Sequence, residues 1–73
     1  MVSIDLKEMG ARFAKARTVK NLSGRALGQM IDKSVGYMYQ VENGNVNLSL
    51  STFVELCNIL ELNPKDFFIQ TEN

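Results

Sequence analysis

Leu22–Gly44 reads LSGRALGQMIDKSVGYMYQVENG, and the fold turns on how this stretch is divided. Ser23 opens a short helix to about Ile31, with Leu27, Met30 and Ile31 facing inward. Asp32 and Lys33 make a turn. Ser34 caps a second helix to about Glu42, with Met38 and Val41 inward. Asn43-Gly44-Asn45 then breaks the pattern. An Asn-Gly pair can mark a hairpin, but the flanks lack strand alternation, so the run reads as a loop. Two short helices that cross steeply must approach closely, which demands a small residue in the first. Gly28, directly after Leu27, supplies it.

The pattern extends outward on both sides. Upstream, Leu6, Met9, Phe13 and Ala16 recur at spacings of 3 and 4 and predict a helix over residues 5–20. Ser3 or Asp5 suits its cap, and Asn21 tolerates the positive φ that closes it. Downstream, Ser49 caps a helix over roughly 50–60, with Leu50, Phe53, Leu56, Cys57 and Leu60 on one face. Asn63-Pro64-Lys65-Asp66 is a cap, a proline at the first helical position and an acid in the first turn. It predicts a last short helix through about Ile69, followed by a frayed polar tail over 70–73. The expectation is one compact, all-α, five-helix domain spanning 1–73, with its core over about 5–69. Met9, Phe13, Met30, Met38 and Cys57 read as core, since Met and Cys at helical spacing fill gaps.

Composition narrows the function classes. At 73 residues and 45% hydrophobic content, the chain is one small globular domain with little room for a catalytic cleft. It contains no His and one Cys. That removes zinc sites, Ser-His-Asp and Cys-His nucleophile systems and the commonest general base. No catalytic residue, metal ligand, cofactor or small-molecule ligand is expected, so the chain reads as no enzyme. There is no signal peptide and no apolar run of membrane-spanning length, and the lone cysteine forms no internal disulfide. A cytoplasmic location without membrane contact is expected.

Net charge is zero, but it is unevenly spread. Residues 12–33 carry Arg12, Lys15, Arg17, Lys20, Arg25 and Lys33 against Asp32 alone, a net +5, while residues 34–73 carry a net −4. A polyanion partner needs a basic face rather than a basic protein. A solvated helix surface with scattered charges fits the same distribution.

Leu22–Gly44 resembles the consensus of Cro/lambda-repressor-like (XRE) helix-turn-helix domains, roughly L-S-Q-x-x-L-A-x-x-x-G-V-S-x-x-x-I-S-x-I-E-x-G. Leu22, Ser23, Leu27, Ser34, Glu42 and Gly44 match directly, and Gly28, Met38 and Val41 match in type. The resemblance covers about residues 5–69. Three positions depart from it. The usual Gln at the start of the first of these helices is Gly24, the turn glycine is Asp32, and the apolar residue after it is Lys33. Arg25 stands beside Gly24 to replace a phosphate contact.

The resemblance implies a prokaryotic or phage transcription regulator, a repressor, binding double-stranded DNA as a homodimer on a two-fold symmetric operator. Helix three is then the recognition helix. Val35, Gly36, Tyr39 and Gln40 are the base-contact candidates. Gln40 suits adenine N6 and N7, and Val35 a thymine methyl. Core packing fits Val35 equally well. Ser23, Arg25, Ser34, Tyr37 and Asn43 are the phosphate-contact candidates. Arg17 and Glu42 are expected to form a structural ion pair. Phe67, Phe68 and Ile69 cannot all face one core from a helix, so Phe68 and Ile69 are the dimer-interface candidates. The alternative is a protein-interaction module of the same fold, antirepressor or antitoxin-like, that binds DNA weakly or not at all. Net charge zero, Gly24 and Asp32 favour it.

Overall fold

The computed structural model describes residues 1–71. A short strand, β1 (Val2–Ile4), precedes α1 (Leu6–Val19), α2 (Gly24–Met30), α3 (Val35–Glu42) and α4 (Leu50–Leu60); a 3-10 turn (Pro64–Phe67) then leads into β2 (Phe68–Gln70).

One grammar bounds all four helices. Each starts at a residue whose side chain accepts backbone N–H bonds from the first turn: Asp5 before α1, Ser23 before α2, Ser34 before α3 and Ser49 before α4. Each stops with an N–H reaching back five residues to a carbonyl of the last turn. The bonds are Leu22 to Arg17 (3.1 Å), Lys33 to Gly28 (2.8 Å), Asn45 to Gln40 (2.9 Å) and Leu62 to Cys57 (2.9 Å). The geometry requires a left-handed residue just before the donor, and Asn21, Asp32, Gly44 and Glu61 hold φ of 58°, 58°, 77° and 57°. Asn and Asp enter this region readily. Glu has no such help and bears a cost of about 1–2 kcal/mol.

The helices enclose one core: Met9 and Phe13 of α1, Leu27 and Ile31 around α2, Met38 and Val41 of α3, Phe53, Leu56, Cys57 and Leu60 of α4, and Phe67. Phe13, Phe53 and Phe67 pack with ring centroids 5.2–6.3 Å apart, at tilted and edge-on angles that aromatic pairs favour. Two glycines set how closely the helices approach. A Cβ on Gly10 would overlap the Val41 carbonyl and sit 2.5 Å from that of Glu42, so α1 crosses the end of α3 backbone against backbone. A Cβ on Gly28 would lie 2.7 Å from the Lys33 carbonyl, inside the α2–α3 turn.

Arg17 and Glu42 join the end of α1 to the end of α3. Arg17 Nε donates to Glu42 Oε2 at 2.7 Å and Nη2 to Oε1 at 3.1 Å, while Nη1 donates to the Leu22 carbonyl at 2.8 Å. The side chains are 19% and 10% exposed. This fork-to-fork contact raises the Arg17 pKa, the Glu42 hydrogen bonds outweighing the opposing effect of burial.

Four expectations are corrected. The fold has four α-helices rather than five, and it is not strictly all-α. Asn63 and Pro64 do start a turn, capped by the Asn63 side chain on Lys65 N–H at 3.0 Å, but one 3-10 turn suffices to bury Phe67. The aromatic and β-branched residues after it then pair antiparallel with β1, Ile4 opposite Phe68, Ser3 opposite Ile69 and Val2 opposite Gln70. The tail expected to fray from Gln70 is therefore paired as far as Thr71, whose N–H donates to the Met1 carbonyl at 2.7 Å. Its last two residues lie outside the described ones. Met30 is 53% exposed because Gly24, Leu27, Gly28 and Ile31 form the inward stripe of α2 and Met30 falls off it. Leu50, at the first position of α4, is 74% exposed.

Candidate nucleic-acid interface

α3 packs on α2 through Met38 and Val41, which are fully buried. Its opposite side is then dictated by the helical period: Gly36, Tyr39, Gln40 and Asn43 stand at i, i+3, i+4 and i+7 and are all exposed. Val35 and Tyr37 flank this row and are half-buried. Of the base-contact candidates, Gly36, Tyr39 and Gln40 thus share one outward face, with Val35 at its edge.

The two serines are committed first to capping. Ser23 Oγ accepts from Ala26 N–H and Ser34 Oγ from Tyr37 N–H, each at 3.0 Å. Each hydroxyl keeps its own proton to donate, so both remain competent toward a phosphate oxygen. Asn43 ends α3 and is exposed; Arg25 is exposed on α2. The Tyr37 ring packs partly against the core, with Lys33 Nζ 5.2 Å from its centre.

Gly24 is buried rather than merely vacant. A Cβ there would meet Tyr39 Cε1 at 3.4 Å and Val35 Cγ2 at 3.8 Å, so both side chains lean onto its backbone. Two further positions carry the site and were not singled out from the sequence. Asn45 Nδ2 donates to Gln40 Oε1 at 3.1 Å, an exposed bond that favours one orientation of the Gln40 amide. Gly10 sets the distance between α1 and α3. The only sequence signals were an asparagine in a loop and a glycine on a buried helix face.

Electrostatics are more modest than the net +5 implied. Arg12 lies 3.4 Å from Glu8, donates to the Asp66 carbonyl and covers the Phe67 ring at 5.6 Å. Arg17 is held by Glu42. Lys20 meets Glu61 at 2.5 Å and lowers the Glu61 pKa through that hydrogen bond. Among the described residues, Lys15, Arg25 and Lys33 are the cations of this stretch that make no ion pair. Arg25 and Lys33 flank α3. Phe68 and Ile69 lie at the other end of the chain, in β2, 45% and 42% exposed. Phe68 stacks edge-on to Phe53 at 6.2 Å and, with Ile4, Leu6, Met9, Leu48 and Phe53, lines an apolar groove.

Among the described residues, no helix is long and apolar enough to cross a membrane, and no group of three or more Cys, Asp or Glu is placed to hold a metal. No protein-family model matches the chain, and neither does any curated sequence. Solved structures do. The restriction-modification controller protein C.AhdI of Aeromonas hydrophila is 32% identical and superposes with a TM-score of 0.75, over 86% of this chain and 91% of its own. Two structures of the clp gene regulator ClgR of Corynebacterium glutamicum are 23% identical. They superpose with TM-scores of 0.76 and 0.78 over 89% of this chain, and over 84% and 69% of theirs, a likeness of fold.

Proposed function

The chain belongs to the Cro/lambda-repressor-like (XRE) helix-turn-helix family, and from that premise we propose that it is a transcription regulator that binds double-stranded DNA through α3. The observation that carries the reading is the outward row Gly36, Tyr39, Gln40 and Asn43, exposed on a helix whose other face is locked into the core. A helix presented in this way fits the major groove. In this reading Val35, Gly36, Tyr39 and Gln40 face the bases. Ser23, Arg25, Ser34, Tyr37 and Asn43 hold the backbone, and the whole of 1–73 acts as a single domain without catalytic activity.

A single recognition helix reads few bases, so the regulator acts as a homodimer, a repressor on a two-fold symmetric operator. The β1–β2 ribbon offers the contact surface: Val2, Ile4 and Phe68 lie on one of its faces and Ile69 on the other, all of them exposed apolar residues. Sedimentation equilibrium on the parent and on the Phe68→Glu, Ile69→Lys double variant tests this. A monomeric parent at high micromolar concentration, free and on DNA, sinks the dimer.

One observation favours a second reading, a protein-interaction module of the same fold. Three of the six cations between residues 12 and 33 are spent inside the molecule. Binding to random-sequence duplex at two salt concentrations separates the two. A DNA-binding regulator loses affinity steeply as salt rises, whereas an interaction module shows no such dependence.

A further inference from the structure

We propose that α3 selects A·T base pairs, reading thymine methyl groups with Val35 and Tyr39 seated on Gly24 and adenine with the Gln40 amide held by Asn45. This rests on the DNA-binding reading above and names the base chemistry it requires.

The commonest specific contact to guanine is a bidentate Arg or Lys to O6 and N7. α3 reads VGYMYQVE and contains neither. Its one charged residue, Glu42, the group that would accept from cytosine N4, is held by Arg17. Arg25 and Lys33 stand on α2 and in the turn, beside α3 rather than on it, where phosphates run.

What α3 offers instead is apolar surface and one amide. Val35 and Tyr39 are one turn apart and both lie over Gly24, where a Cβ would stand 3.8 Å from Val35 Cγ2 and 3.4 Å from Tyr39 Cε1, leaving no room for a longer side chain between them. Their packing on Gly24 makes a continuous patch, with Tyr39 55% exposed. The thymine C5 methyl is the one apolar group that base edges present in the major groove. Gln40 stands beside Tyr39. With Asn45 donating to its Oε1, the amide keeps a second lone pair on oxygen and both protons on nitrogen. That is the acceptor and donor pair that adenine N6 and N7 require, already oriented. Gly24, which costs the family's usual Gln contact, is on this account the residue that makes room for the methyl-reading patch.

The test is selection of bound duplexes from a random pool by the full chain, followed by replacing each thymine of the selected site with uracil, which removes only the methyl group. The selected half-site should centre on A·T pairs, and uracil at a contacted thymine should weaken binding about fourfold, the value of burying one methyl-sized group. Tyr39→Ala should bring the thymine-to-uracil affinity ratio to about one at the thymine that Tyr39 contacts. Gly24→Gln should do the same, because the atoms beyond its Cβ have to pass the Tyr39 ring, with thermal melts showing both variants folded. A folding defect alone lowers both affinities and leaves the ratio untouched. If the chain binds duplex with steep salt dependence but uracil changes nothing at any position, or the selected site depends on G·C pairs, the inference is overturned and the functional reading stands. If no duplex is bound, both fall.

Discussion

Three glycine-to-alanine changes should move stability in opposite directions, because the same methyl group meets three different surroundings. In a helix, Ala is favoured over Gly by about 0.8–1 kcal/mol. Gly36→Ala keeps much of that gain: the nearest heavy atom to its new Cβ is Ser34 Oγ at 3.9 Å, so a stabilisation of about 0.5 kcal/mol is expected. Gly28→Ala meets two backbone carbonyls at 2.7 and 3.3 Å and Met38 Cγ at 3.1 Å. The side chain can give but the turn cannot, and a net loss of about 1–2 kcal/mol follows. Gly10→Ala is worst. Its Cβ overlaps one carbonyl and lies 2.5 Å from the next, whereas ordinary contact begins near 3.4 Å. Two rigid helices must part by most of an ångström. That opens the α1–α3 seam along its length and disturbs the Arg17–Glu42 fork. A loss of about 3 kcal/mol, the upper end for overpacking, outweighs the propensity gain. Domains of this size hold about 4–11 kcal/mol in all. Urea melts followed by far-UV circular dichroism would rank the series Gly36→Ala, parent, Gly28→Ala, Gly10→Ala. If Gly10→Ala melts within about 0.5 kcal/mol of the parent, close backbone approach is not what places α3. Gly36→Ala carries a second readout. Its Cβ stands on the outward face, so a more stable protein that binds its operator less well would separate fold from recognition.

Other perturbations follow from the same geometry. Arg17→Ala or Glu42→Ala strands one half of a largely buried fork and should cost about 3 kcal/mol in a denaturant melt; a loss below about 1 kcal/mol in both would show an exposed, nearly inert pair. Arg25→Ala should weaken binding to all duplexes alike and flatten the plot of log affinity against log salt by about one unit; an unchanged slope removes Arg25 from the phosphate contacts. Glu61→Gly relieves a left-handed glutamate at the end of α4 and gives up only an exposed ion pair, so the melting midpoint should rise, by about 0.5–1 kcal/mol in stability. The Cys57 thiol is buried and its pKa is pushed up, so iodoacetamide at pH 8 should label native protein far more slowly than urea-unfolded protein; equal rates would place Cys57 at the surface.

The helices were legible because their boundaries are written locally. Ser23, Ser34 and Ser49 cap, Asn21 and Asp32 tolerate positive φ, and each signal sits within a turn of what it controls. Glu61 does the same job as Asp32 with no local signal, and its φ of 57° and the Leu62-to-Cys57 hydrogen bond reveal it. Met30 was misplaced because counting apolar residues overlooks glycine: the inward stripe of α2 includes Gly24 and Gly28. The ribbon was illegible for two reasons. Three residues are too few to show an alternation, and the partner of Val2 is Gln70, at the opposite end of the chain. The outward residues of α3 followed from the helical period alone. The hand that orients Gln40 comes from Asn45, in a loop with no period to read. The basic segment was overcounted because Lys20 finds Glu61 41 positions away, a pairing that composition cannot carry.

The pairing of β1 with β2 also sets a timetable. Contacts among α1, α2 and α3 join residues made close together in time, and local contacts form fast. The ribbon joins Val2–Ile4 to Phe68–Gln70, strands that all four helices separate, so its closure entropy falls due late. A nascent chain can therefore assemble its helix-turn-helix while β1 still waits, an unpaired edge with Val2 and Ile4 exposed. Whatever delays Phe68–Gln70 lengthens the time that β1 spends without its partner, without altering the finished molecule.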